Sequence, residues 1–369
     1  MDILYIRTSD RSSFRRCRRR WAWSSHLRGN MEPKQRNRYF WLGSGFHYAL
    51  EDFHAAKNFN TPADAFKEYT LACKGSKGIT LPDGWEDEQE LATSMLDYYY
   101  FDWLEGYGRP LLKTYIYKDE PQVEVRFEII VPFQGPNGEE VRYRGTIDRV
   151  AIDTHGRLWI VEYKTAQQFI TGHFDTDGQV TAYVWAGNSL YNKPIAGVIY
   201  QQHKKTLANE PRLLANGKIS HAKSQSTSYS KYKQALKSLY TSVDKAPSAN
   251  IRCLNHLASL ETEDQDPYIR RDRIYRNEHQ LQAEGAKILL ELEDILNPEL
   301  PLYPNPTRDC SWGCDFQTAC ISLDDGSDWE FHLEDEMQQR EKDNDSWRAL
   351  LPGKHPTIKV IPLAKPKPQ

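Results

Sequence analysis

The chain has 369 residues, of which 39% are hydrophobic and 27% charged, and its net charge is −3. Its 10 Trp, 21 Tyr and 13 Phe supply the apolar surface that folded cores need, which excludes wholesale disorder. The sequence contains no apolar run of the roughly 18 residues that a membrane span requires, and its first residues lack the pattern of a signal peptide. We therefore expect a cytoplasmic protein without a membrane partner.

Charge is distributed unevenly along the chain. Residues 7–38 contain eleven Arg and Lys against two acidic residues, whereas residues 324–345 contain ten acidic residues against two basic ones. A basic block with interleaved aromatic residues suits a polyanionic partner, because Lys and Arg displace counterions from phosphates. The alternative is a solvated helix face. For the acidic segment, a solvated tail is the simpler interpretation.

The predicted elements change in type near residue 120. Helices are predicted where apolar residues recur at helical spacing, over 12–28, 39–59, 61–106 with a turn-rich break at 75–84, 176–189, 229–241 and 270–296. Strands are predicted where apolar and polar residues alternate or an apolar run is bounded by turns, over 122–132, 141–153, 158–165 and 195–202. The first three strands are expected to be antiparallel, since a Pro-Asn-Gly turn at 136–138 joins the first pair.

This order of elements predicts an α/β fold with a mixed central sheet flanked by helices. We divide the chain into an N-terminal helical segment (1–121), a compact core (122–203), a helical region that ends in a cysteine-rich segment (204–323), and an acidic and then Pro- and Lys-rich tail (324–369). The tail from Pro352 is predicted to be disordered because of its composition.

Two carboxylates and a lysine lie on neighbouring predicted strands. Glu162 and Lys164 are two residues apart, so their side chains point to the same face, and a hairpin partner can place Asp148 there too. Two hard carboxylates form a site for Mg²⁺ or Mn²⁺, and a lysine beside the metal can steady charge on a reacting phosphate. The alternative is a set of solvated strand positions, but an apolar strand leads directly into Glu162.

The order of these motifs resembles the PD-(D/E)XK nuclease superfamily. Gly145-Thr-Ile-Asp148 followed by Glu162-Tyr-Lys164 is similar to its core motif. Gln179-Val-Thr-Ala-Tyr183 resembles the Gln-x-x-x-Tyr motif of the RecB-like branch, and the segment Gly43–Glu51 is similar to the one that supplies the metal-binding histidine of that branch. The resemblance covers about residues 43–183 and is specific because the motifs occur together in the family's order.

The resemblance implies a role for each matching residue. It implies that His47, Asp148, Glu162 and the Tyr163 carbonyl are metal ligands and that Lys164 is catalytic. Gln179 and Tyr183 would contact DNA or brace the site. Two alternatives stay open at this point: a single histidine on an apolar helix is often a core residue, and Glu124 on the preceding strand is equally well an exposed strand acid or a further ligand.

Four of the six cysteines are candidate ligands of a second metal group. Cys310, Cys314 and Cys320 lie close together, and Cys17 within the basic block is the candidate fourth thiolate. This arrangement resembles the iron–sulfur site of RecB-like exonucleases, including the CRISPR-associated enzymes and the AddB nuclease domain, and implies a [4Fe–4S] cluster. The gap between the first two late cysteines is one residue longer than is usual in those relatives, which leaves zinc open.

The sequence thus predicts a metal-dependent DNA exonuclease that acts on single-stranded DNA or DNA ends in recombination, repair or viral DNA metabolism. Its DNA-binding candidates come from the basic block: Arg15, Arg16, Arg18, Arg19, Arg20 and Trp21, with Trp23 as a further base-stacking candidate. No nucleotide-binding Gly-Lys-Ser/Thr loop occurs, so unwinding would need a helicase partner. The alternatives are a sequence-specific restriction-like endonuclease and a non-catalytic iron–sulfur DNA-binding scaffold.

Overall fold

A mixed sheet of eight strands organises the chain, whose structure is a computed structural model described over residues 2–34, 38–56, 59–75, 81–104, 112–260, 266–340 and 359–362. The strands are β1 (Ile3–Arg7), β2 (Met31–Pro33), β3 (Lys113–Thr114), β4 (Ile116–Tyr117), β5 (Glu120–Pro121), β6 (Val123–Gln134), β7 (Glu140–Ile152), β8 (Leu158–Ala166), β9 (Ile195–Lys204), β10 (Ile269–Ile274), β11 (Met337–Gln339) and β12 (Lys359–Pro362).

Helices cover both faces of the sheet. They are α1 (Thr8–Arg16), α2 (Arg18–Ser24), α3 (Arg38–His54), α4 (Pro62–Gly75), α5 (Trp85–Asp97), α6 (Gly178–Leu190), α7 (Tyr229–Tyr240), α8 (Ser248–Leu260), α9 (Glu278–Leu296), α10 (Cys310–Gly313), α11 (Gln317–Asp325) and α12 (Trp329–Glu336). A π-helical stretch, Tyr98–Leu104, continues α5, and 3₁₀ turns occupy Phe174–Thr176 and Val243–Lys245. Among the described residues, no helix combines the length and the apolarity needed to cross a membrane.

The main path of the sheet runs β10-β9-β8-β7-β6-β12. Strand β7 is antiparallel to both β6 and β8, whereas β8 and β9 are parallel and are joined by α6. Strand β1 adds in parallel to the first half of β7, and β3 pairs with the end of β7. The predicted α/β fold with a mixed central sheet is confirmed, and the sheet also includes strands from outside residues 122–203.

Alternate side chains of the central strands enter two hydrophobic cores. On β8, Leu158 and Ile160 belong to the core beneath α1, α6 and α9, whereas Trp159 and Val161 belong to the core beneath α3, α4 and α5. Strand β8 is therefore buried on both faces, as its nearly continuous apolar sequence predicts. Smaller cores lie between α7 and α8 and around Phe316 in the C-terminal segment.

Three details of the predicted elements differ from the structure. The helix predicted over 270–296 is wrong at its start, because residues 269–274 form β10 on the edge of the sheet and α9 begins only after Asn277, which caps it together with Gln280. The helix predicted over 12–28 is interrupted at Cys17, whose backbone is extended. In the predicted disordered tail, residues 359–362 pair with β6, and the other residues of that tail lie outside the described part of the chain.

Candidate metal centre

The candidate site lies where the edge of β7 changes partner. Strand β1 pairs with residues 140–144 of β7 and β8 pairs with residues 149–152, so β1 and β8 diverge around residues 145–148. Gly145 is required in this segment, since a Cβ atom there would lie 2.4 Å from the Phe127 ring and 2.8 Å from the Thr8 hydroxyl. Asp148 therefore lies on β7 at the gap between β1 and β8.

A histidine and two carboxylates meet at this position. Nδ1 of His47 lies 3.5 Å from Oδ2 of Asp148 and 3.8 Å from Oε1 of Glu124, and each of the three residues offers a ligand atom within 4.8 Å of the others. Glu124 is buried and its backbone is left-handed, with φ of 46°, a conformation that a non-glycine residue rarely adopts. The structure thus brings Glu124 into the site as a ligand candidate.

Helix α3 supplies the histidine. Phe46 and Leu50 are fully buried in the core above the sheet, which turns the intervening His47 toward β6 and β7. Gly45 lets α3 approach α4 closely, because a Cβ there would lie 2.5 Å from the Tyr69 ring. The helix is therefore fixed against the sheet by its neighbours as well as by its own apolar face.

Glu162 and Lys164 complete the acidic side of the site. Nζ of Lys164 donates to Oε1 of Glu162 at 2.5 Å, while Oε2 of Glu162 is buried and has no hydrogen-bond partner among the described residues. Burial and the neighbouring Asp148 carboxylate raise the pKa of Glu162 to about 7. An unpartnered buried carboxylate oxygen is costly in free energy unless a cation or a donor satisfies it.

Opposite charges hold the other side of the site together. Burial alone would lower the pKa of His47, but Asp148 and then Glu124 outweigh it and raise that pKa to about 10. Burial would raise the pKa of Asp148, but His47 outweighs it and lowers that pKa. The Tyr163 N–H also donates to Oδ2 of Asp148 at 2.8 Å. The imidazole of His47 and the carboxylates of Glu124 and Asp148 fit a hard divalent cation, and the unsatisfied oxygen of Glu162 is a candidate further ligand.

Gln179 and Tyr183 lie one helical turn apart on α6 and face Glu162. Nε2 of Gln179 lies 3.0 Å from the Tyr183 hydroxyl and 3.4 Å from Oε1 of Glu162. The Asp177 side chain accepts from the first N–H groups of α6, which fixes the start of this helix. Both predicted residues therefore border the carboxylates.

A buried polar network behind the site was missed from the sequence. Arg149 donates to the Tyr163 hydroxyl at 3.1 Å, to Nε2 of His54 at 3.3 Å and to the Thr114 hydroxyl at 3.1 Å, and it also contacts the Leu112 carbonyl. The His54 ring stacks on the Tyr163 ring. Their positions in the sequence could have indicated this network, because His54 follows His47 by two helical turns and Arg149 directly follows Asp148.

The segment around Cys17 contacts the segment that carries Cys310, Cys314 and Cys320, although within the described part of the chain the four cysteines do not form an obvious cluster. Backbone N–H groups of Arg20 and Asn305 donate to Sγ of Cys17 at 3.5 and 3.4 Å, and Thr307 donates to Sγ of Cys310 at 3.4 Å. Burial raises the pKa of Cys314, and the neighbouring Cys310 and Cys17 raise it further. A guanidinium nitrogen of Arg19 lies 3.3 Å from Sγ of Cys320. Among the described residues, however, the sulfurs do not form a group as close as the His–carboxylate one.

The predicted DNA-binding residues of the basic block separate into two groups. Several are engaged within the protein: Arg15 lies 3.8 Å from Glu291, Arg18 lies over the Phe14 and Tyr303 rings, and Arg19 pairs with Asp324 at 2.6 Å. Arg16 and Arg20 instead face a cavity beside the site.

The tryptophans of the basic block pack within the protein. Trp21 is fully buried against Phe14, and Trp23 packs on Phe316 and Trp329. In this structure the indole of Trp21 has no face open to a base, which corrects the prediction that it stacks on DNA.

Fold and site together define an α/β protein with a mixed sheet, a His–carboxylate centre suited to a divalent metal, and an adjacent lysine. A family model of the PD-(D/E)XK nuclease superfamily matches residues 8–321. The chain belongs to this superfamily, which indicates a metal-dependent nuclease. No curated protein sequence matches the chain.

Proposed function

We propose that the protein is a metal-dependent DNA exonuclease of the RecB-like branch, acting in the cytoplasm on single-stranded DNA or DNA ends during recombination, repair or viral DNA metabolism. The observation that carries this proposal is the buried, unpartnered Oε2 of Glu162 beside the His47–Glu124–Asp148 group. A divalent metal bound there would polarise the scissile phosphate and lower the pKa of the attacking water.

Each residue of the site has a proposed part. His47, Glu124, Asp148 and Glu162, with the Tyr163 carbonyl, would hold the metal. Lys164 is 37% exposed while its Nζ stays on Glu162, so its ammonium can reach a phosphate oxygen and stabilise the negative charge that develops there. Since the ammonium stays protonated, it acts by charge and by donating hydrogen bonds.

The RecB-like assignment is supported by α6. Gln179 and Tyr183 bond to each other and approach Glu162, so they would orient that carboxylate as well as border the substrate. The spacing of the Gln-x-x-x-Tyr motif thereby has a physical reason: an interval of four residues places both side chains on the face of α6 that meets β8.

We further propose that Cys17, Cys310, Cys314 and Cys320 hold a [4Fe–4S] cluster. Backbone N–H groups directed at two of the sulfurs are the donors that stabilise metal-bound thiolates. A tetrahedral zinc site would need the four sulfurs about 3.8 Å apart, given Zn–S bonds of about 2.3 Å. Among the described residues these sulfurs do not form such a group, so the proposal of an iron–sulfur cluster rests on the resemblance of the cysteine pattern and on the backbone N–H donors. Its role would be structural, since it would tie α2 to the C-terminal segment.

The test is the cleavage pattern of purified protein with Mg²⁺ or Mn²⁺ on end-labelled linear single- and double-stranded DNA and on circular single-stranded DNA. We expect metal-dependent release of nucleotides from linear DNA and intact circles. Cleavage of circles would instead indicate an endonuclease, and binding without cleavage at any metal concentration would indicate a non-catalytic scaffold. Stimulation by an added helicase would support a helicase partner, because the chain has no unwinding motif.

A further inference from the structure

A cavity of about 650 Å³ lies beside the metal centre, between α1 and strands β6 and β7. Its wall carries five guanidinium side chains, those of Arg7, Arg16, Arg20, Arg126 and Arg144. Hydroxyl side chains of the first two turns of α1 line it as well, and no carboxylate occurs among its described lining residues. A cavity with this lining is suited to an anion that accepts many hydrogen bonds.

The arginines of this wall differ from the rest of the basic block in their partners. Arg11 is fully buried and bonds to Glu284 at 2.9 Å and to Glu291 at 2.6 Å, so its charge is used to fasten α1 to α9. Arg7 and Arg20, by contrast, make no ion pair with a described residue. Arg16 lies 3.9 Å from Asp309, which is half exposed, and donates to the Gly313 carbonyl at 3.3 Å. The positive charges of Arg7 and Arg20 are therefore available to a ligand in the cavity.

The far wall of the cavity is shared with the metal centre. Gln179 and Tyr183 line the cavity, and Nε2 of Gln179 lies 3.4 Å from Oε1 of Glu162. The cavity opens where β1 and β8 diverge, next to the segment that leads to Asp148. A chain of phosphates with one phosphate at the carboxylates would therefore place its neighbours against these arginines.

The volume of the cavity indicates a single strand as the ligand. A volume of about 650 Å³ is that of a pocket for one drug-sized molecule, so it admits a nucleotide or two of one strand and excludes a duplex. The lining has one aromatic ring, Tyr183, which is 6% exposed, so it offers no platform for stacking bases. Charge and hydroxyl donors recognise the backbone, which carries no sequence information.

We infer that this cavity binds the phosphates next to the scissile one in a single DNA strand, with Arg7, Arg16 and Arg20 as the principal contacts and Arg126 and Arg144 on the strand side. The inference rests on the proposed function. Two contacts position the Arg144 side chain. It pairs with Glu128 at 2.6 Å, and its guanidinium carbon lies 3.7 Å from the centre of the Tyr5 ring. Arg11, Arg18 and Arg19 have no part in this contact.

The experiment is equilibrium binding of a short fluorescent oligothymidylate in EDTA, so that no cleavage occurs, at several salt concentrations. Arg7→Gln and Arg20→Gln should each weaken binding about tenfold and reduce the salt slope by about one. Arg18→Gln is the matched control, with the same change of charge in the same block, and should bind within about twofold of the unchanged protein. Equal losses in all three variants would overturn the inference.

A second variant covers the case in which an arginine substitution disturbs folding. Ser12 lies on the exposed side of α1 and lines the cavity, so Ser12→Asp adds a negative charge there without removing any packing. It should weaken binding of the oligonucleotide and leave the melting temperature unchanged. Unchanged affinity in this variant would count against the cavity as the binding site.

Failure of this inference is separable from failure of the proposed function. If the unchanged protein cleaves DNA with Mn²⁺ while Arg7→Gln and Arg20→Gln bind normally, the cavity inference is wrong and the nuclease proposal stands. If those variants lose binding but the unchanged protein cleaves nothing, the nuclease proposal is wrong and the cavity remains a single-strand binding site.

Discussion

Substituting Glu162 with Gln should remove a loss of stability that the metal-free protein undergoes as the pH becomes alkaline. The carboxyl is buried among negative charge and its pKa is raised to about 7 from an ordinary value of 4.5. A group with a raised pKa stabilises the fold below its unfolded value, and that stabilisation is lost as the pH rises through the folded value. The loss is worth about 3 kcal/mol at most, and about 2 to 3 kcal/mol of it falls between pH 5 and pH 8.5.

The assay is urea denaturation of the unchanged protein and of Glu162→Gln in EDTA across that pH range. Lys164 stays protonated throughout, so losing its partner adds an offset that does not vary with pH. The free energy of unfolding of the variant, relative to the unchanged protein, should rise by about 2 to 3 kcal/mol from pH 5 to pH 8.5. Adding Mn²⁺ should then stabilise the unchanged protein and leave the variant nearly unaffected.

Glu128→Gln is the matched control, since Glu128 is equally buried but accepts from Arg142 at 2.8 Å and from Arg144 at 2.6 Å. Removing its charge should destabilise the protein at every pH in the range, because two half-buried guanidinium groups lose their charged acceptor. If the stability difference between Glu162→Gln and the unchanged protein does not change with pH, the Glu162 carboxyl does not have a raised pKa. That result would refute the reasoning that its buried charge is unsatisfied without a cation.

Three further predictions concern the cluster, the close packing beside the site and His203, a buried residue of β9. Cys310→Ser should remove the brown colour and the iron and sulfide of anaerobically purified protein, whereas Cys253→Ser should keep them; colourless protein with one zinc would overturn the iron–sulfur proposal. Gly145→Ala should cost about 1 to 3 kcal/mol in denaturant unfolding through its clash with Phe127, and the cost should shrink in a Phe127→Leu background; an equal cost there would contradict the clash. Burial lowers the pKa of His203 to about 3, so the fold loses stability as pH falls below 6.5, and His203→Gln should lose about 2 kcal/mol less than the unchanged protein between pH 7 and pH 5; parallel pH profiles would contradict this.

The sequence was sufficient where one local pattern decided the structure. Alternation of apolar residues placed β6 and β7, and the apolar run of β8 predicted a strand buried on both faces. The motif order also led to Asp148, Glu162 and Lys164, because a hairpin with two-residue periodicity can present them on one face. These predictions depend on neighbours that are close in the chain.

Other features depend on contacts between distant segments. Glu124 looks like any strand acid until its left-handed backbone and its burial beneath α3 are seen. The alternation in β10 is hidden because four of its six residues are charged, so the strong helical pattern of α9 extended over it. Which arginines face the cavity is decided by acids far along the chain, such as Glu284 and Asp324, which engage Arg11 and Arg19.

Cleavage of linear single-stranded DNA by Lys164→Ala, measured beside its Mn²⁺ and DNA binding, tests the account most directly. Lys164 is proposed to stabilise charge in the reaction and not to hold the metal, so the variant should bind Mn²⁺ and DNA while cleaving about 100-fold more slowly or worse. Lys237→Ala, an exposed lysine on α7, should cleave at the unchanged rate. A Lys164→Ala variant that cleaves as fast as the unchanged protein would contradict the assignment of this site as the nuclease centre.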